Sequence, residues 1–200
     1  MNLKTSISVC VCALLGNMSF AEPLFNGKDL SGWEIVNGGQ FSVDGGLLRV
    51  NKGTGWLRSV DTFGDFKLTM EFRFVEKGAN SGIFVRTARE SNKDENGWPS
   101  NGYQLQALDS LEGPSPLGFM IPYGAPPFQH VSNLKALESV YQPAGFWHVY
   151  EIECVGETLS VRLNGELITL AIDVKNSEGH IGIQAEHGIL DFRRIEVERF

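Results

Sequence analysis

The chain is short of cysteine, of positive charge and of helical periodicity, and each shortage narrows what it can be. Only three cysteines occur in 200 residues, and two of them, Cys10 and Cys12, sit near the start. If that start is an export leader, Cys154 alone remains, so no internal disulfide can form and stability rests on core packing and sheet hydrogen bonds. Cys154 alternates with apolar neighbours, the pattern of a buried structural thiol rather than a nucleophile. Lysine and arginine total 17 against 24 aspartates and glutamates, a formal net charge of −7. An acidic surface disfavours phosphate-rich partners, so nucleic acid is not expected as a ligand. From Glu22 onward no stretch keeps a 3.6-residue apolar period for three turns.

The first 21 residues follow a different logic. Lys4 supplies a short basic region, Ile7 to Leu15 an apolar stretch, and Ser19-Phe20-Ala21 small residues at a cleavage spacing. A signal peptide over 1–21 is expected, followed by one domain over 22–200 and export to a periplasm or the cell exterior. A membrane anchor would need roughly 20 consecutive apolar residues, and Gly16, Asn17 and Ser19 interrupt the run. No integral span is expected in the mature chain.

What is present is short alternating segments punctuated by glycine and proline, the signature of an all-β protein. Candidate strands are 40–43, 47–51, 65–75, 82–88, 103–109, 147–155, 159–163, 180–185 and 190–198. Asp44-Gly45-Gly46 and Asn164-Gly165 are hairpin signals, because glycine and asparagine accept the positive φ of primed turns. Nine or more strands of this length point to a two-sheet jelly-roll sandwich. The Pro- and Gly-rich stretch 110–137 is too long for a plain connection and reads as a functional loop system, with a short helix over 132–139.

Strand parity sorts polar residues onto faces. Phe66, Leu68, Met70, Phe72 and Phe74 form one apolar stripe, leaving Glu71 and Arg73 opposite. Ile83 and Val85 alternate against Phe84 and Arg86, Leu105 and Ala107 against Gln104 and Gln106, and Ile181 and Ile183 against Gln184. If these strands share one sheet, Glu71, Arg73, Arg86, Gln104, Gln106 and Gln184 converge beside Phe84. Carboxylate, guanidinium and amide groups beside an aromatic ring suit a sugar, although a merely solvated sheet face would also alternate.

Five segments carry a resemblance: Leu24-Phe25-Asn26-Gly27-Lys28-Asp29-Leu30-Ser31-Gly32-Trp33, Glu71-Phe72-Arg73, Asn80-Ser81-Gly82-Ile83-Phe84-Val85-Arg86, Gly102 to Asp109 (GYQLQALD), and Leu163-Asn164-Gly165. In this order they resemble the 3-keto-disaccharide hydrolase domain family of the concanavalin A-like lectin and glucanase superfamily. The resemblance implies hydrolase or lyase chemistry on glycosides oxidised at sugar carbon 3, where the ketone acidifies the carbon 2 hydrogen. Such a site needs a base, a cationic or metal stabiliser for the enolate, and an acid.

On that reading Glu71 is the candidate acid or base, and Arg73 and Arg86 stabilise the enolate; the plain alternative is a structural salt-bridge cluster. Asp109, closing its strand, and His187, before the last strand, are further catalytic candidates, each with a turn-forming alternative. Phe84, Tyr103, Gln104, Gln106, Tyr123 and Gln184 are candidate substrate-binding residues, and Trp98, Tyr123, Pro126, Pro127 and Phe128 are candidates to wall a cleft. Phe25, Trp33 and His148 read as structural. Two departures from the family pattern stand out, Gln104 in place of Glu and Phe146 in place of Glu in Gly-Glu-Trp. They leave open a non-catalytic glycan-binding module, and a scaffold protein is the third reading. Spacing assigns no metal ligands, and a divalent metal is left open. The glucanase pattern Glu-x-Asp-x-x-Glu is missing, since Arg73 takes the place of its middle acid, which disfavours an ordinary retaining glucanase with carboxylates about 5 Å apart.

Overall fold

A computed structural model describes residues 20–93 and 96–200. The expected leader, with Cys10 and Cys12, lies outside the described residues except for Phe20 and Ala21. The strands are β1 (Glu22–Pro23), β2 (Trp33–Asn37), β3 (Gln40–Asp44), β4 (Leu47–Lys52), β5 (Gly55–Phe63), β6 (Phe66–Phe74), β7 (Asn80–Thr87) and β8 (Gly102–Leu108). They continue as β9 (Met120–Tyr123), β10 (Gln129–Ser132), β11 (His148–Val155), β12 (Thr158–Leu163), β13 (Glu166–Ile172), β14 (Gly179–Ala185) and β15 (Leu190–Arg199). One helix, α1 (Leu134–Val140), starts at Asn133, whose side chain accepts from the Ala136 N–H at 3.1 Å. Among the described residues no helix is long and apolar enough to cross a membrane.

Two antiparallel sheets result. The larger runs β10-β13-β12-β11-β6-β15-β4-β3, with β1 added on β15, and the smaller runs β2-β5-β14-β7-β8-β9. Both hairpin signals are used: Gly45 and Gly46 turn β3 into β4, and Asn164 (φ 49°) and Gly165 (φ 90°) turn β12 into β13. The loop stretch 110–137 contributes β9 to one sheet and β10 to the other.

The core fills the space between the sheets. Phe66, Leu68, Met70, Phe72 and Phe74 of β6 are all fully buried there, facing Ile83, Val85, Leu105 and Ile183 of the smaller sheet in one apolar cluster. Phe25 and Trp33 join it, and the Trp33 indole donates to the Leu24 carbonyl at 2.8 Å. Cys154 is buried in the same cluster and its thiol is pushed up to about 12 by that burial, which keeps it un-ionised and unreactive. His148 is also buried, stacked on Phe72, and desolvation lowers its pKa.

The expectation that β6 shares a sheet with β7, β8 and β14 is overturned: β6 is central in the larger sheet. Arg86 also leaves the face that parity assigned to it. Its φ of +47° breaks the alternation of β7. The fully buried guanidinium donates to the carbonyls of Gly64 (3.0 Å), Gly156 (2.6 Å) and Asn176 (3.0 Å) and to Asp65 Oδ1 (2.9 Å). Three turns at one end of the sandwich therefore hang on one side chain.

Arg86→Met should cost about 3 kcal/mol or more, because the partly exposed Asp65 carboxylate and three carbonyls lose a fully buried donor. Urea unfolding measures this, and a loss below about 1 kcal/mol would show that the clamp is dispensable.

Candidate functional site

The outer face of the smaller sheet is built from the residues that alternate with its core side. Two cross-strand rows are set by register. One runs Glu34, Arg58, Gly182, Phe84, Gln104, Ile121, and the next places Val36, Trp56 and Gln184 in line with Gly82 and Gln106. The glycines are required by what lies over them. A Cβ on Gly82 would come within 1.9 Å of Gln104 Nε2, and one on Gly182 within 2.5 Å of the Trp56 ring.

Across this floor runs a chain of amides with a single direction of donation. Gln104 Nε2 donates to Gln184 Oε1 (2.9 Å) and to Gln106 Oε1 (3.0 Å), Gln106 Nε2 to Asn80 Oδ1 (3.0 Å), and Asn80 Nδ2 to Glu186 Oε2 (2.7 Å). Beside it stand Trp56, Phe84, Trp98 and Tyr123, packed edge to face, with the Arg58 guanidinium over Trp56 and paired with Glu34. The structure thus brings together Phe84, Gln104, Gln106, Tyr123 and Gln184 as expected. Tyr103 does not join them: it points into the core, and its hydroxyl accepts from the Lys175 N–H at 3.0 Å.

The amide chain ends at an open cleft of about 740 Å³ at the rim of the sandwich, lined by Gln40, Asn51, Lys52, Glu76, Glu186 and His187 among others. Two carboxylates, an imidazole and an ammonium are among the groups that line it. Glu186 is half-buried, and that burial raises its pKa, with His187 acting in the opposite direction. A carboxyl so tuned can hold or give up a proton closer to neutrality than an ordinary glutamate. His187 was a candidate from sequence, whereas Glu186 was missed because it lies just past β14, which ends at Ala185 as expected; extending the parity of Gln184 one position beyond the strand would have found it.

Glu71 and Arg73 lie on the far side of the molecule, on the outer face of the larger sheet. Glu71 accepts from Arg193 Nε (2.5 Å) and lies 3.5 Å from Arg194. Arg73 is bound to Asp191 (2.8 and 3.1 Å), which Arg49 grips from the other side (2.7 and 3.1 Å). Burial pulls the fully buried Asp191 carboxyl upward, and the bonds from the two arginines outweigh it and hold it below the usual range. The Trp147 ring completes the ladder, 4.8 Å from the Arg73 guanidinium and 4.3 Å from that of Arg193. The expected convergence of Glu71, Arg73 and Arg86 with the glutamines is therefore not formed, because they occupy three separate places.

Asp109 holds structure together as well. Its carboxylate accepts from the Gly78 N–H (2.9 Å) and from the Tyr141 hydroxyl (2.6 Å), tying the β6–β7 turn to the segment after α1. Phe128 packs on Tyr103 at the edge of the core, and Pro127 lines an apolar groove with it. Pro126 is exposed. Among the described residues no three His, Cys, Asp or Glu side chains group closely enough to hold a metal ion.

A family model described as "3-keto-alpha-glucoside-1,2-lyase-like domain" matches residues 21–198. No curated protein matches the sequence. Two proposed glycosyl hydrolases from Parabacteroides distasonis ATCC 8503 share the fold. One has a TM-score of 0.68 at 23% identity, covering 90% of this chain and 100% of its own. The other has a TM-score of 0.70 at 16% identity, covering 90% and 94%. The carbohydrate binding module CBM66 from Bacillus subtilis has a TM-score of 0.58 at 16% identity, covering 84% and 95%. At these identities the likeness speaks to the fold, which is the concanavalin A-like jelly-roll sandwich expected from the sequence.

The raised Glu186 carboxyl makes a prediction about stability. Such a group favours the folded state fully below the ordinary carboxyl value of 4.5, and that contribution is lost as pH rises through the raised value. Glu186→Gln keeps an oxygen for Asn80 and removes the buried charge. It should be at least as stable as the wild type at pH 7, the difference shrinking below pH 4, in urea unfolding across pH. A variant clearly less stable at pH 7 would contradict the burial argument.

Proposed function

The chain belongs to the 3-keto-alpha-glucoside-1,2-lyase-like domain family, and from that premise we propose that it is an exported carbohydrate-active lyase or hydrolase cleaving 3-keto-glycosides at the rim of the smaller sheet. The observation that carries the reading is the cleft in which the half-buried Glu186 meets His187, Lys52 and Glu76. Glu186 removes the carbon 2 proton, and the electron pair of that C–H bond becomes the carbon 2–carbon 3 double bond of an enolate. Lys52 steadies the enolate oxygen by its charge. The enolate then collapses: the carbon 3 carbonyl re-forms, a carbon 1–carbon 2 double bond forms, and the bond from carbon 1 to the glycosidic oxygen breaks. That oxygen takes a proton from His187 or Glu76. Addition of water to carbon 1, with a proton returned to carbon 2, turns elimination into net hydrolysis.

The amide chain has a positioning role here. Asn80 fixes one oxygen of Glu186, Gln106 fixes Asn80, and Gln104 fixes Gln106, so a carboxylate on a turn is aimed by groups seated on rigid strands. Glu71, Arg73 and Arg86 have no part in this proposal, since their charges are taken up by structural partners away from the cleft.

A second reading, a non-catalytic glycan-binding protein, is favoured by one feature: the floor at 104, 106 and 184 is all amide, without an acid. One experiment separates the two. The protein is incubated in deuterated buffer with a 3-keto-disaccharide and, separately, with the same disaccharide unoxidised, followed by NMR. The expected result is deuterium at carbon 2 and sugar release from the ketone alone, with the rate rising with pH on a limb above the ordinary carboxyl value. Binding of the ketone without exchange or release would establish the binding protein instead.

A further inference from the structure

The amide chain that ends on Glu186 has a direction, and the direction has an origin. An amide nitrogen only donates and an amide oxygen only accepts. Turning over one member of the chain would set oxygen against oxygen on one side and nitrogen against nitrogen on the other, so Gln104, Gln106 and Asn80 turn together or not at all. Their sense is decided at the far end. Gln104 Nε2 lies between the oxygens of Gln106 (3.0 Å) and Gln184 (2.9 Å) and uses both its hydrogens there, while Gln104 Oε1 is buried with no partner. Were the amide to turn over, its nitrogen would carry two hydrogens to that dry, unpartnered position, and one bare acceptor would become two bare donors. Gln104 and Gln184 are both buried, so water does not relieve the reversed state.

At the near end the sense of the chain reaches an ionisable group. The Asn80 oxygen is taken by Gln106 Nε2 (3.0 Å), which leaves Asn80 Nδ2 facing Glu186 Oε2 (2.7 Å). A hydrogen bond donated to a carboxylate is about twice as strong as one donated to a neutral group. A chain that points its nitrogen at Glu186 therefore favours the carboxylate, whereas the opposite sense would present the Asn80 oxygen and favour the protonated acid. We propose that Gln104 is a remote positioning residue for Glu186: its amide fixes the sense of the chain and so holds Glu186 in the form that takes up a proton. Gln104, which reads in the sequence as an acid lost, is on this account a pair of donors gained.

Gln104 lies four residues along β8 from Leu108, the position opposite Asn80, roughly 13 Å at strand rise, so it acts on Glu186 through the chain. The donation opposes burial, which pushes the Glu186 carboxyl upward, and works in the same direction as His187. The other charged groups lining the cleft are Lys52 of β4 and Glu76 of the β6–β7 turn. Substitutions at 104 and 106 that exchange one neutral side chain for another leave all three of these groups as they are. The importance of Gln104 for catalysis rests on the reading that Glu186 is the base, but its effect on the charge of Glu186 does not.

The test is a pH titration of Glu186 by NMR of carbon-13 labelled glutamate carboxyl groups, the signal being assigned from Glu186→Gln. Wild type, Gln104→Met, Gln106→Met and the double variant are compared after thermal unfolding has shown each to be folded, and Gln104→Leu replaces Gln104→Met should the latter not fold. With methionine at 104 neither sense of the Gln106 amide has a partner there, so Asn80 is free to turn its oxygen toward a protonated Glu186. The Glu186 pKa is expected to rise by about one pH unit in each single variant. Because Gln104 acts through Gln106, the double variant should lie within about 0.3 pH units of Gln106→Met alone. The proposal is overturned if the substitution at 104 leaves the Glu186 pKa within about 0.3 pH units of wild type, or if its full shift persists in the Gln106→Met background. Carbon 2 exchange of a 3-keto-disaccharide is then followed against pH, and the rising limb should move up by the same interval in the 104 variant. Wild type that shows no exchange at any pH, with the NMR shifts as expected, would sink the catalytic reading and leave the hold of Gln104 on the charge of Glu186 established.

Discussion

Five side chains of β6, Phe66, Leu68, Met70, Phe72 and Phe74, point into the space between the two sheets and are fully buried there. At roughly 1.5–3 kcal/mol for each large apolar side chain withdrawn from water, this stripe is a major part of what holds the sheets together. It also decides everything that faces outward. Once the even positions of β6 are inside, Glu71 and Arg73 must face solvent on the larger sheet, and once Ile83, Leu105 and Ile183 meet the stripe, Phe84, Gln104 and Gln184 must face outward on the smaller one. The two outer faces then diverge in chemistry. The larger sheet carries arginines, each with a carboxylate partner, around Asp191 and Trp147. The smaller carries neutral amides and aromatic rings, with its charge confined to the Glu34–Arg58 pair and to the rim.

That division places polar cost where function has a use for it. A buried amide chain stabilises only if its members are satisfied, and here one oxygen, on Gln104, is left over. A half-buried carboxylate is likewise unfavourable to folding at neutral pH, and Glu186 is one. Elsewhere buried charge is fully matched: Arg86 has four acceptors, and Asp191 has two guanidinium partners. Three of the four unmatched buried side-chain polar atoms among the described residues, on Arg58, Trp98 and Gln104, lie on the outer side of the smaller sheet, with His148 in the core the fourth, and that concentration is the physical reason for locating ligand and chemistry on the smaller sheet.

Parity made much of this legible in the sequence. The stripe of β6, the outward set Phe84, Gln104, Gln106 and Gln184, and both hairpins depend on neighbours one or two residues away, and local pattern suffices for them. Sheet membership does not, because whether β6 lies beside β7 or across from it is settled by pairing with β11 and β15, far along the chain. Trp56 and Arg58 escaped notice because β5 is buried on both sides for five residues and shows no alternation. Arg86 was misplaced by a single left-handed φ, and Glu186 was overlooked because it lies one residue past the end of β14, in a turn that strand parity does not cover.

The most direct test of where the chemistry lies sets Glu186→Gln against Glu71→Gln in carbon 2 deuterium exchange and product release from a 3-keto-disaccharide. Removal of a general base slows its reaction by about 10²–10⁴-fold, so Glu186→Gln should fall by at least a hundredfold while Glu71→Gln stays within about fivefold of wild type. The reverse order, with Glu71→Gln inactive and Glu186→Gln near wild type, would move the active site to the larger sheet and contradict the account.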